Sequence, residues 1–352
     1  MASASSPAVP GNVLLTCAGR RNYLVRYFRE ALAGRGLVIA ADASENAAAL
    51  FEADRALVVP PVGHPDYIDV LVHVCVRHGV RLLVPLNDLE LPLLSRERGR
   101  LLGVGAIPVV SAPDAVDLCF DKRRTAEHLA ANGIATALTF VALGDAGAAI
   151  ERGELRFPVV VKPRWGTASL GIEFPHDRRE LELAYELVGR RVERSIIAGA
   201  SASDPGCSVL VQECLQGQEY GLDVVNDLLG RHVVTFVKWK HAMRAGETDR
   251  AETVDHPELR ALGERIAALV GHIGNLDCDV FMTSAGPVVL EMNPRFGGGY
   301  PFSHVAGANL PAALLAWARG EEPDPAWLRV QPGIISAKCD RLVVKPTLRI
   351  PR

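Results

Sequence analysis

The sequence predicts a mixed fold, an α/β Rossmann-like unit followed by an α+β region, and three observations carry that reading. Between residues 12 and 110 short apolar runs alternate with stretches of helical periodicity, the pattern of a parallel sheet covered on both faces. After Ser111 strands follow one another and end in a hairpin, so the second region is built on antiparallel pairing. The chain has 352 residues, 49% apolar and 22% charged, which suits a globular protein with more than one core and excludes disordered and fibrous classes.

Residues 1–11, rich in Ala, Ser and Pro, read as a disordered tail without the charged start and apolar middle of a signal peptide. No run of about 18 apolar residues occurs, so no membrane partner is expected and a cytoplasmic location is. The net charge of −3, without a basic run, argues against nucleic acid. Seven scattered cysteines without a CxxC pair read as free thiols.

In the first unit Val13–Cys17, Leu37–Ala41, Ala56–Val59 and Arg81–Leu86 read as strands, with helices over Arg21–Leu32 and Tyr67–Arg77. Ligands of such sheets sit beyond the carboxyl ends of strands, where Ala18–Arg21 and Asn87–Glu90 fall. Strand, turn and helix with an acid at Asp42 outline a dinucleotide site, and an NAD-dependent oxidoreductase is one alternative. The turn Thr16–Arg21 has a single glycine, however, where a pyrophosphate needs three.

From Ser111 to the end, Pro113–Asn132 reads as one helix and Thr136–Val141 and Pro158–Lys162 as strands. A helix follows over Asp177–Arg194, and Ala198–Gly206 is a loop. Strands come next over Ser208–Gln212, Glu219–Val225 and His232–Val237, and then the helix Pro257–Ile273. The hairpin Asn275–Asn293, the helix Pro311–Arg319 and a terminal pair of strands over 330–352 complete the chain. The smaller lobe of this region is expected over about 135–215 and the C-terminal lobe over about 216–352.

Three stretches carry chemistry. Val159–Gly171 delivers Lys162 from a strand into a loop with Gly166, Thr167, Ser169 and Gly171, whose backbone N–H groups suit phosphate oxygens while the ammonium neutralises them. It is not a Walker A loop, because the lysine precedes the glycines. Val209–Tyr220 runs an apolar strand into a connector, exposing main-chain groups suited to an adenine edge, with Glu219 available for ribose hydroxyls. In Val288–Arg295 the two-residue period puts Glu291 and Asn293 on one face and Leu290 and Met292 on the other. A turn centred near Ala285 then sets Asp279 opposite Glu291 and Asp277 opposite Asn293. Opposed carboxylates on a buried hairpin call for a cation, and hard oxygen donors suit Mg²⁺.

Lys122 after Asp121, the strand-ending Lys162 with its glycine loop, Gln212-Glu213 with Glu219, and Asp279 twelve residues before Glu291-Met292-Asn293-Pro294-Arg295 form an ordered set. As a set they resemble the ATP-grasp enzymes, with the strongest similarity to one synthetase half of carbamoyl-phosphate synthase and to stand-alone carboxylate–amine ligases. The resemblance implies a Rossmann-like pre-ATP-grasp domain followed by a two-lobed ATP-grasp fold. It also implies an ADP-forming ligase that joins a small-molecule carboxylate to an amine through an acyl phosphate.

Carried over, Lys122 and Lys162 hold ATP phosphates under the 164–171 loop, Gln212, Glu213, Cys214 and Leu215 line the adenine pocket, and Glu219 meets the ribose. Asp279, Glu291 and Asn293 bind one or two Mg²⁺ ions, with Mn²⁺ as a substitute, and Arg295 steadies the acyl phosphate. Lys240 and Arg244 face the γ-phosphate or substrate, and Lys238 lies on the same strand. A homodimer is a family-level expectation. A chain of this length holds one such unit and no glutaminase, which weighs against the two-ATP route to carbamoyl phosphate. A second alternative is an ATP-binding module without catalysis. Only six lysines stand against 32 arginines, and four of the six fall in these stretches.

Overall fold

The computed structural model describes residues 11–166, 171–201, 204 and 206–345. The tail before Gly11, the loop residues Thr167 and Ser169, and the end of the expected terminal strand pair lie outside them. Among the described residues there are three sheets. None of the described helices is long and apolar enough to cross a membrane.

Strands β1 (Asn12–Thr16), β2 (Val38–Asp42), β3 (Arg55–Val58), β4 (Val80–Pro85) and β5 (Ile107–Pro108) form a parallel sheet in the order β3-β2-β1-β4-β5. One face packs Leu14, Ile39 and Leu83 under the helix Tyr67–His78. The other packs Val13, Leu15, Val38 and Leu82 under the helix Asn22–Leu32. That second core also takes Ala313 and Leu314 of the late helix Leu310–Ala318, together with Phe296 and Tyr300. A continuous apolar core therefore ties the first unit to the C-terminal lobe.

A small lobe carries β6 (Thr139–Phe140), β7 (Val159–Pro163) and β8 (Val209–Glu213) in the antiparallel order β6-β8-β7. The helix Arg178–Glu193 buries Leu181, Ala184, Val188 and Val192 against Val159 and Val161. Part of the expected loop after Ala198 is a short helix, Ala198–Ser201. The expected single helix over 113–132 is two, Pro113–Phe120 and Lys122–Ala131. They break at Asp121, whose extended backbone frees its carboxylate to accept from the N–H groups of Arg123 and Arg124.

The large sheet runs β13-β12-β9-β10-β11-β14, with β9 (Gln218–Asn226), β10 (His232–Arg244), β11 (Glu247–Thr253), β12 (Gly274–Thr283), β13 (Gly286–Asn293) and β14 (Ile335–Ala337). Its covered face, with Leu222, Val224, Leu276, Cys278, Val280 and Met292, packs on Leu259, Leu262 and Ile266 of the helix Pro257–Val270. Cross-strand pairing brings polar residues together on the opposite face. Glu291 pairs with Asp279, Asp279 with Gly221 and Gly221 with Lys238, and beside that row Asn293, Asp277 and Asp223 align.

The β12–β13 hairpin contains a bulge. Outward from Val280 paired with Val289, register follows the two-residue turn at Ser284–Ala285, whereas inward Asp279 pairs with Glu291, so Leu290 is the extra residue. Val289 and Met292 consequently both point into the helix-covered core. Leu290 does not share their face as strict alternation would have it.

The connector Cys214–Gly217 joins the small lobe to the large sheet. Gly217 adopts φ +143°, and a Cβ there would lie 2.2 Å from the carbonyl oxygen of Met282. Gly217→Ala should destabilise the protein by about 1–3 kcal/mol, read as a lower urea midpoint at unchanged m-value. An unchanged midpoint would show that the connector can relax away from β12.

Candidate active site

The polar face of the large sheet is dense in carboxylates, and Glu219, Asp223, Asp277 and Asp279 are each met by a cation. Lys240 donates to Glu219 at 2.7 Å and to Asp279 at 2.6 Å. Lys238, fully buried, donates to Asp223 at 2.6 Å, and Asp223 also accepts from Ser303 at 2.5 Å. Gly221 lies beneath both lysine stems, since a Cβ there would stand 3.2 Å from the Cε of each. Arg295 donates through Nε and Nη2 to Asp88 at 3.1 and 2.8 Å, and through Nη1 to Asp277 at 3.0 Å.

The small lobe and the helix before it bring two more lysines to the same face. Lys162 is the last residue but one of β7 and is 5% exposed. Lys122 opens its helix and donates to the carbonyl of Gly166 at 2.7 Å. Asp121 fixes that start, because besides capping the helix it takes Arg164 in a two-pronged pair at 2.8 and 2.7 Å. Arg164 in turn reaches Asp204 at 2.6 Å and lies over the Trp165 ring.

Burial pushes Glu291 up, but Lys122, Lys162, Lys240 and Arg295 together outweigh it and hold the carboxyl below its usual range. Asp279 goes the other way. Burial, joined by Asp277, Glu291 and Glu219, overcomes Lys240 and raises it to about 7. Burial lowers Lys162 to about 8, with Lys122 adding repulsion while Glu291 opposes both. Lys240 is disfavoured by burial yet held above the usual lysine range by Asp279 and Glu219. A carboxyl raised mainly by burial, and further by neighbouring carboxylates, is one that a nearby cation would favour in its charged form.

Several expected residues are thus together: Lys122, Lys162, Lys240, Asp279, Glu291, Asn293 and Arg295. Others have different surroundings. Glu219, expected at a ribose, accepts from Lys240, because the β9–β10 register sets the two side by side on one face. Arg244 pairs with Asp249 and Asp340 at the exposed outer end of β10, away from the buried cations. Lys238 is sealed against Asp223 rather than bordering an open site.

Gln212 is buried and bonds Thr139, while Glu213 donates its N–H to the Leu138 carbonyl and accepts the Leu138 N–H on its carboxylate, so Gln212, Glu213, Cys214 and Leu215 lead into the connector between lobes. Gly166 and Gly171 both have positive φ at the two ends of the loop. Among the described residues no three His, Cys, Asp or Glu side chains are arranged for a metal ion, and the candidate set is two carboxylates with the Asn293 amide.

A separate cleft of about 920 Å³ opens at the carboxyl ends of the parallel strands, between Gly19, Asp42 and Asn87 on one side and Arg124, Arg164 and Trp165 on the other. Asp42 does not present a free carboxylate there. It accepts from the N–H groups of Gly19 at 2.8 Å and Ser44 at 2.9 Å, closing its own turn in place of a ribose contact. A narrow gap lined by Asp88, Phe120, Gly166 and Asn293 lies between this cleft and the charged face.

Residues 13–110 match the family described as PylC-like, N-terminal domain, and residues 207–340 the family described as ATP-grasp in the biosynthetic pathway with Ter operon. The chain has the ATP-grasp fold. Among its relatives is the carbamoyl phosphate synthase large chain of Methanosphaerula palustris, 28% identical over 71% of this chain and 22% of that one. The chain therefore spans about a fifth of that relative's length.

Solved ATP-grasp folds superpose on it widely. The biotin carboxylase domain dimer of Hydrogenobacter thermophilus 2-oxoglutarate carboxylase, in complex with MgADP, ADP and bicarbonate, has TM-score 0.69 at 18% identity, over 88% of this chain and 70% of that one. The L-amino acid ligase of Bacillus licheniformis has TM-score 0.65 at 18% identity, over 91% and 77%.

Asp88, Asp277 and Arg164 are site residues that pattern reading did not single out for these roles. Asp88 stands just past β4, where the strand-end rule points, but its partner is 207 residues away. Lys240→Met should cost about 3 kcal/mol by leaving Glu219 and Asp279 uncompensated, and millimolar Mg²⁺ should raise its melting temperature more than that of the unaltered protein. Equal Mg²⁺ responses would refute a cation deficit at Asp279.

Proposed function

We propose that this ATP-grasp chain is an ADP-forming ligase that activates a small-molecule carboxylate as an acyl phosphate and joins it to an amine, with amino-acid-like substrates. One observation carries the reading: a half-buried Glu291 opposite Asp279, with Lys122, Lys162, Lys240 and Arg295 converging from separate parts of the chain. Such a cluster suits a reaction in which negative charge builds up on a transferred phosphoryl group.

In the proposed reaction a substrate carboxylate oxygen attacks the γ-phosphorus of ATP, the bond to the β-phosphate oxygen breaks, and ADP leaves. The amine nitrogen then attacks the acyl carbon, the C–O bond to phosphate breaks, and the nitrogen loses a proton as the amide forms. Lys122 and Lys162 meet the phosphate oxygens, Arg295 orients the acyl group, and the connector Glu213–Leu215 faces the adenine. Gly166 and Gly171 supply the backbone freedom for a loop that covers the phosphates.

The donor set fits Mg²⁺. It offers hard oxygens only, and the raised Asp279 carboxyl gains from a nearby cation. Asp279, Glu291 and Asn293 would hold the ion, which when bound neutralises phosphate charge against the carboxylates. Occupancy by Mg·ATP asks Lys240 to share Asp279 with the metal while keeping Glu219.

The direct test is ADP release by the purified protein with Mg²⁺·ATP against pools of amino acids and other carboxylates, products being identified by mass. Glu291→Gln should retain the fold and lose turnover by at least about a hundredfold, and retained activity would sink the metal assignment. ATP binding with no release above background would leave an ATP-binding module in place of a ligase.

Lys162 gives a pH signature. Its ammonium is the phosphate-binding form, so affinity for Mg²⁺·ATP should weaken as pH rises through about 8 and strengthen below it. Calorimetry between pH 7 and 9.5 reads the slope, and Lys162→Arg should flatten it. A slope that persists in that variant would move the titration to another group.

A further inference from the structure

We propose that Asp88 is the positioning residue for Arg295, so that the parallel-sheet unit sets the orientation of the guanidinium that faces the reacting acyl group; the inference rests on the ligase reading above. Both side chains are buried, at 6% and 5% exposure, and their contact joins two parts of the chain 207 residues apart. Nε and Nη2 converge on one oxygen of Asp88, Nη1 reaches Asp277, and Nη1 also donates to the Phe296 carbonyl at 3.3 Å. Four of the five N–H donors are thereby engaged from two sides, which fixes both the tilt and the height of the plane. A single carboxylate would leave the group free to swing about its stem.

Asp88 is itself held. It stands in the loop after β4, where Glu90, fully buried, accepts from the N–H of Leu86 at 3.1 Å and of Asn87 at 3.3 Å. Tyr67 donates to the other Glu90 oxygen at 2.8 Å. Asn87 closes the loop further by accepting from the N–H of Leu89 at 2.9 Å. Because one apolar core runs through both the sheet unit and the segment after Arg295, neither end of the contact shifts without the other. The loop thus acts as a rigid mount for a side chain belonging to the other lobe.

Asp88→Asn removes the charge and keeps the size. In the full chain with Mg²⁺·ATP, ATP affinity and KM for ATP should stay within about twofold, while kcat per ATP-binding site falls about a hundredfold. Asp88→Glu should recover part of that loss. The double variant Asp88→Asn with Arg295→Lys should be no slower than Arg295→Lys alone, since one group acts through the other. A folded Asp88→Asn protein with kcat within twofold of the original, or losses that multiply in the double variant, overturns the proposal.

A second measurement needs no turnover. In NMR spectra of the unaltered protein the Arg295 Nε–H, identified as the resonance lost in Arg295→Lys, should exchange slowly with solvent. Fast exchange overturns the clamp even if Asp88→Asn fails to fold. Absence of ADP release from the unaltered protein with every pool would instead sink the ligase reading and leave the clamp measurable.

Discussion

Compensation of buried and half-buried negative charge on one sheet face governs the architecture. Glu219, Asp223, Asp277, Asp279 and Glu291 share the polar side of β9, β12 and β13 because strand alternation and register put them there. Isolated, each would be costly to bury. Their cations come from several parts of the chain: Lys238 and Lys240 from the same sheet, Arg295 from the turn beyond it, Lys162 from the small lobe and Lys122 from the helix before it. The sheet is thus a site around which the other units are arranged, and Asp279, raised mainly by burial, is where the proposed chemistry draws a metal.

The lysines divide by surroundings. Lys238 is shut in with Asp223 and Ser303 and serves the interior. Lys162, in contrast, is buried without a close carboxylate and is easy to deprotonate, a condition that a phosphate would reverse. Burial alone does not separate structural from functional lysines in this fold. Lys238 and Lys162 differ in whether a carboxylate already meets the ammonium, and Lys240, met by two, still belongs to the cluster at Glu291.

Much of this was legible in the residues and some was not. The Lys162 strand reads from its apolar run, and the β12–β13 hairpin from its turn and period. The β11 strand does not, because Glu247–Thr253 presents Thr248, Ala251 and Thr253 to the interior and has no apolar signature. The break at Asp121 is hidden as well, since an aspartate inside a helical pattern reads as a surface residue until Arg164 shows why it caps. Arg244 has the right residue type on the right strand, yet β10 runs past the site and carries it to the rim. The Asp88–Arg295 contact lies beyond any local pattern, because only the packing of two units against one core brings the residues together.

The bulge at Leu290 gives the hairpin two independent scales. Beyond it, pairing is dictated by the short turn at Ser284–Ala285, and before it, by the carboxylates and the amide. Like the two rulers of a vernier, the segments can be offset without disturbing what is measured at the inner end. The tip is consequently a place where a reporter group or a longer turn can be grafted while the spacing of Asp279 and Glu291 is kept, a practical handle a strictly regular hairpin would lack.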